Sequence, residues 1–196
     1  WLQAQLPWRC MPDPETWLLG RVKGVSDLLI PVGHALLQAR RELNALRDET
    51  STRECRLCLG GAATVGFHIA HIAGSLDRLF TYARGDALSP VQVEYLLREE
   101  ALGLEQSRDD LFATAIDRID LCLDAVKDIP DHLLLESRVV GRDQLPSTVI
   151  GLLFHAAEHT TMHVGQIRTT LKVSRGLLLV SRDLICKEDS EAMGAD

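Results

Sequence analysis

Long stretches of this chain place apolar residues three and four positions apart, and runs that alternate strictly are nearly absent. That spacing turns one face of an α-helix toward a core, whereas a half-buried strand would need a period of two. A chain written this way is confined to helices packed on helices. At 196 residues, 46% of them apolar, it can bury one sizeable core, and nothing divides it into two. The basic residues are scattered and the net charge is −7, which argues against nucleic acid as a partner.

The start and stop signals sketch five helices. Ser26 is placed to cap a first helix carrying Leu28, Leu29, Val32, Leu36, Leu37, Leu43 and Leu46, with Pro31 in its opening turns and an end near Arg47. Thr64 caps a second, with Val65, Ile69, Ile72, Leu76 and Leu79 inward and Arg84-Gly85 at its close. Ser89-Pro90 opens a shorter helix to about Leu102. Arg108 to Lys127 forms the next, with Leu111, Ala115, Ile119, Cys122 and Val126 inward, halted by Ile129-Pro130. After an extended and irregular stretch from Leu135 to Arg142, Pro146-Ser147-Thr148 begins the longest helix, which runs to about Val173 with Gly176 just beyond. Four substantial helices and one short one describe an all-α helical bundle spanning 14–173. Residues 1–13 read as an N-terminal extension, with a natural start expected at Met11, and 174–196 as a mostly solvated C-terminal tail. No apolar run reaches the length of a membrane span and the first 20 residues lack a signal-peptide core, so the expected location is cytoplasmic.

The chemistry concentrates in histidines. His159 and His163 stand four apart in His159-Thr-Thr-Met-His163-Val-Gly-Gln166, so their imidazoles project to nearly the same side of the last helix, about one turn apart. Leu152, Ala156 and Ile167 border them. Imidazoles on an apolar border need a partner, which hydrogen bonds or a metal ion can supply. A third histidine would complete a three-nitrogen site with one position open, the arrangement of catalytic rather than structural metals. On the second helix, periodicity alone selects His68, while Gly74, one turn past His71, leaves room for a ligand or a close helix and favours His71. His155 lies farther toward the rim, Gln166 and Thr170 extend the ligand-like face by a turn, and His34 reads as a polar shoulder on the first helix.

Two other patterns carry less. His155-Ala-Ala-Glu158-His159 matches the inverted zinc-protease motif, yet the only downstream glutamates are Glu188 and Glu191 in the acidic tail. Glu158 is better read as a supporting or surface residue. Cys55-Arg-Leu-Cys58 has redox spacing without a second such pair or a βαβ context, and five irregularly spaced cysteines fit reduced thiols.

Gly66-Phe-His-Ile-Ala-His71-Ile-Ala-Gly-Ser-Leu-Asp-Arg-Leu79, then Thr81-Tyr-Ala-Arg-Gly85, and Leu145-Pro-Ser-Thr-Val-Ile-Gly-Leu-Leu-Phe-His-Ala-Ala-Glu-His159-Thr-Thr-Met-His163-Val-Gly-Gln166 closely resemble the DinB-like superfamily, from about Pro14 to Val173. The resemblance implies an up-and-down four-helix bundle, here with an additional short helix, holding a divalent metal at one end. It assigns the ligands to His71, His159 and His163, in place of the His68 that periodicity selects. Zinc or nickel is the implied ion, with iron and copper as alternatives, and many members are homodimers. Cys55, Cys58 and Met162 depart from the family pattern and are placed to alter the pocket rim. Relatives that use a low-molecular-weight thiol imply a metal-dependent thiol S-transferase acting on a small-molecule substrate, and a hydrolase could use the same site. No catalytic side chain is assigned by the sequence. The alternative is a non-catalytic bundle that binds metal or a small ligand as sensor, store or scaffold; in a third reading the histidines are satisfied by hydrogen bonds alone.

Overall fold

The computed structural model describes residues 14–193, with side chains through residue 179. The architecture is all-α. Six helices follow in order, α1 (Ile30–Glu49), a single turn α2 (Thr52–Cys55), α3 (Val65–Ala83), α4 (Pro90–Glu105), α5 (Arg108–Lys127) and α6 (Val149–Met193). Between α5 and α6 lies a small hairpin, β1 (Ser137–Val140) paired antiparallel with β2 (Leu145–Thr148). No described helix is long and apolar enough to cross a membrane.

Four helices enclose the core. α1 packs against α5 and α6, and α3 packs against the same two, so α1 and α3 sit diagonally, as do α5 and α6. Leu36 and Leu43 of α1, Ile69, Ile72 and Leu76 of α3, Phe112 and Ile119 of α5, and Leu153 and Ile167 of α6 meet there with essentially no exposure. Each such side chain contributes about 1.5–3 kcal/mol through its removal from water. The predicted α5 agrees in both bounds and in its five inward residues, because Ser107 caps it and its apolar stripe is unbroken.

The additional helix, α4, lies outside this ring on α3. Gly66, Ala70 and Gly74 stand one turn apart on α3 and let α4 approach to backbone contact. A Cβ added at Gly66 would lie 2.1 Å from the Gly103 carbonyl oxygen, and one at Gly103 would lie 2.4 Å from the Phe67 nitrogen. Neither obstacle is a flexible side chain, so the helices would have to part. Gly66→Ala and Gly103→Ala are each expected to lower stability by about 1–3 kcal/mol or more, read from urea unfolding midpoints. Unchanged midpoints would contradict the close crossing.

Four expectations need correction. Helix α1 begins at Ile30, not at Ser26: the Ser26 hydroxyl is engaged with Asp131, and residues 26–29 make a turn ahead of the helix. Leu28, counted in the apolar stripe, is therefore exposed. Helix α4 runs on to Glu105 rather than stopping near Leu102. Residues 145–148 do not open α6 but form β2, where Pro146 faces Val139; a two-stranded ribbon tolerates proline's missing N–H. Thr148 still caps α6, its hydroxyl accepting from Gly151 N at 3.1 Å.

The fourth correction concerns the C-terminal segment. Helix α6 does not end near Val173 but continues through Gly176 to Met193. A glycine inside a helix costs only about 1 kcal/mol, and no proline follows to enforce a stop. Ser174 is buried, and Arg175 donates to the Glu54 carboxylate at 2.7 Å and to the Glu49 carbonyl at 2.5 Å, tying the extension to the end of α1 and to α2. Glu188 and Glu191 belong to this helix, and their side chains lie outside the described set, as do residues 1–13 with the expected start at Met11.

Candidate metal centre

Helices α3 and α6 bring His71, His159 and His163 together, one ring nitrogen from each lying within 4.8 Å of the others. His71 Nε2 and His159 Nε2 are 2.9 Å apart. Nitrogens bound to one zinc ion at about 2.0–2.1 Å stand about 3.3 Å apart, so these two need only a small displacement to share an ion. Among the described residues, no other group of three His, Cys, Asp or Glu converges in this way. The arrangement is that of a metal site built on two rigid helices.

The remaining ring nitrogens bear on whether the donor set suits a metal. His71 Nδ1–H donates to Glu99 Oε2 at 2.7 Å, which leaves the Nε2 lone pair facing the other two rings. Glu99 comes from α4 and is 2% exposed; its second oxygen accepts from Arg78 Nη1 at 2.6 Å. His163 Nδ1 meets His68 Nδ1 at 3.0 Å, leaving its Nε2 uncommitted. Metal-ligating histidines characteristically use the second nitrogen in this way, to fix tautomer and ring orientation. Phe67 stacks on the His71 ring at a 17° interplanar angle.

The electrostatics favour neutral rings. Burial, together with the neighbouring His71, His159 and His68 rings, holds His163 down at about 3. Burial first and His71 second also lower His159 and His68 from their ordinary values. An imidazole must be neutral to offer a lone pair to a metal, so the lowering at His159 and His163 favours the form that binds an ion.

Each residue singled out by the sequence can now be located. His68, the choice of periodicity, is buried beside His163 as its hydrogen-bond partner and stands outside the converging group. His155 is exposed and binds Glu158 at 2.7 Å, so Glu158 points into a surface pair and not into the site. His34 is a buried shoulder on α1, its Nε2 at 2.6 Å from the Gly20 carbonyl. Gln166 and Thr170 line a depression of about 550 Å³ beside His68, with Met162 on its rim. Cys55 is buried and its thiol is pushed up to about 11, chiefly by desolvation, while Cys58 is exposed; the two are free thiols.

The sequence reading did not find Glu99 or Arg78. Glu99 sits within Arg98-Glu99-Glu100, which resembles a solvated charged face. Its only sequence signal is the pair of gaps at Gly74 and Gly103 that bring α4 in. Compared with known families, residues 35–167 match the family model of the DinB superfamily, a span containing all three histidines and Glu99. No curated protein matches the chain.

Proposed function

The chain belongs to the DinB superfamily, and on that premise we propose that it is a metal-dependent enzyme of the thiol S-transferase type, with His71, His159 and His163 as the ligands of one zinc or nickel ion. The observation that carries the reading is the convergence of three imidazoles, two of which, His71 and His163, already commit their outer nitrogens to Glu99 and His68. Three protein ligands leave a coordination position for an incoming molecule. A divalent ion there would lower the pKa of a thiol or water in that position, supplying a nucleophile at neutral pH.

What the chain itself provides favours thiol transfer over hydrolysis. Hydrolysis wants a general base within hydrogen-bond reach of the attacking water. Glu99 is occupied by His71 and Arg78, and Glu158 by His155. A thiol needs no such base once it is held as the thiolate. A depression lined by the polar side chains of His68, Gln166, Thr169 and Thr170 and by Ala62, Ala63 and Met162 borders His68, the hydrogen-bond partner of His163, and is the surface we assign to the rest of a small polar thiol and its electrophilic partner.

Spectroscopy on cobalt-substituted protein tests this directly. Addition of a low-molecular-weight thiol should produce a sulfur-to-metal charge-transfer band, and thiol plus a small electrophile should then give a thioether product. A cobalt spectrum unmoved by several thiols would sink the transferase reading and leave the non-catalytic bundle.

A further inference from the structure

We propose that Glu99 is the positioning residue of this centre, the group that fixes the His71 tautomer and aims its Nε2 at His159 and His163, and that Gly74 is present to let the carboxylate through. The proposal rests on the metal reading for its purpose, but not for its geometry. Among the described residues, Glu99 is the one carboxylate that reaches His71, and it comes from a helix outside the four-helix ring. It is buried and serves two donors, one on each oxygen: His71 Nδ1 at 2.7 Å and Arg78 Nη1 at 2.6 Å. A carboxylate can satisfy both at once; an amide of the same shape has only one oxygen.

Gly74 shows that the passage is reserved. A Cβ at that position would lie 2.2 Å from Glu99 Oε1, 2.7 Å from Arg78 Nη1 and 2.8 Å from Tyr95 Cδ1. A side chain there would overlap the Oε1–Arg78 contact and the Tyr95 ring, so the Glu99 carboxylate that holds His71 through its other oxygen would have to shift. Tyr95 lies one turn before Glu99 on α4, and its hydroxyl donates to the Ala70 carbonyl at 3.3 Å, holding that face of α4 against α3. The glycine, the tyrosine and the arginine thus confine one carboxylate to one place. A buried ion pair alone would not call for a histidine on its second oxygen. The His71 contact gives the arrangement its chemical meaning.

With Glu99→Gln, the two donors compete for one oxygen. Either Arg78 loses its partner, or the amide NH2 faces His71 and the ring must carry its proton on Nε2, where a metal would bind. Two readouts follow. Nitrogen-15 NMR of the metal-free wild-type protein should show His71 protonated on Nδ1, and in Glu99→Gln that signal should shift toward the Nε2 form. Zinc affinity, measured by competition with a chromophoric chelator, should fall on the order of 10–100-fold in the variant, the usual consequence of removing a ligand's hydrogen-bond partner. Gly74→Ala, which leaves Glu99 and His71 chemically intact, should weaken zinc binding similarly. A folded Glu99→Gln protein with the wild-type tautomer and affinity overturns the proposal. So does a wild-type His71 protonated on Nε2, an outcome that needs no variant to fold. Wild-type protein that takes up no zinc would defeat the metal reading, while the tautomer measurement would still decide the role of Glu99.

Discussion

Protein saturated with zinc and freed of excess ion should retain one equivalent per chain, and the His159→Ala, His163→Ala double variant should retain none. The effect is all-or-none because the two substitutions remove two of the three converging nitrogens and leave His71 alone, held by Glu99. A single imidazole binds a divalent ion too weakly to survive dialysis. Both substitutions also shorten side chains at an apolar border, so the variant must be shown to be folded by its helical circular dichroism. His155→Ala serves as the control: that ring is exposed, paired with Glu158 and outside the converging group, and its removal should leave the zinc content at one. Metal retained by the double variant would place the site elsewhere. Metal absent from the wild type after exposure to zinc, nickel and iron would leave a bundle whose histidines are satisfied by one another.

The second large effect is on stability in acid. His163 is held at about 3 in the folded chain, by burial and then by His71, His159 and His68, against an ordinary value of 6.5. A histidine lowered by folding takes up its proton more readily when unfolded, so protonation pulls the chain toward the unfolded state. Stability is therefore fully present above about pH 6.5 and is lost as pH falls through the window toward 3. For a lowering of this size the loss is on the order of 3–5 kcal/mol, with His159 and His68 adding in the same direction. Glu54 contributes in a lower window. Burial pushes that carboxyl up, but hydrogen bonds from Arg175 and Ser51 outweigh it and hold the group at about 2, below its usual 4.5. The interval between pH 6.5 and 4.5 accordingly isolates the histidines. Urea unfolding of metal-free protein should show stability declining across that interval, with a shallower decline in His163→Gln. Equal slopes in the two proteins would refute the assignment. Zinc in the buffer should delay the decline, since the ion competes with protons for the same lone pairs.

What could be read from the sequence was whatever a single helix determines by itself. Helix α5 was legible in full because a serine cap, one apolar stripe and a terminating Ile-Pro lie within 24 residues of each other. The proximity of His159 and His163 was legible for the same reason, being a property of helical spacing. Contacts between helices were not. Periodicity preferred His68 to His71 because His68 is nearer the centre of the apolar face, and it is indeed the more buried ring. What makes His71 the member of the cluster is the direction in which α3 meets α6, and the family pattern supplied what spacing could not. Glu99 illustrates the limit most clearly. Its neighbours Arg98 and Glu100 are exposed and it looks like them, yet the glycines of α3 and α4 draw its side chain inside. Ser26 misled for a related reason. Its hydroxyl donates to Asp131, 105 residues away, and accepts from Leu28 N at 3.3 Å, closing a turn over 26–29 so that the helix begins only at Ile30.

The diagonal placement of α1 opposite α3 bears on how the chain reaches its native state. In a bundle of simple hairpins, each helix docks on the one made just before it, and closing a short loop costs little entropy. Here α1 finds its bundle neighbours only in α5 and α6, which begin about sixty and a hundred residues beyond its end. Helices α3, α4 and α5 can assemble on one another as they emerge. Helix α1 must then wait, and its apolar face stays wet until α5 and α6 arrive. Folding should consequently be slower than for a hairpin bundle of equal length, as expected where native contacts join distant segments. The histidine cluster joins α3 to one of those late arrivals, so the three nitrogens converge only in the final stage of assembly, and a metal ion has no complete site to bind before then.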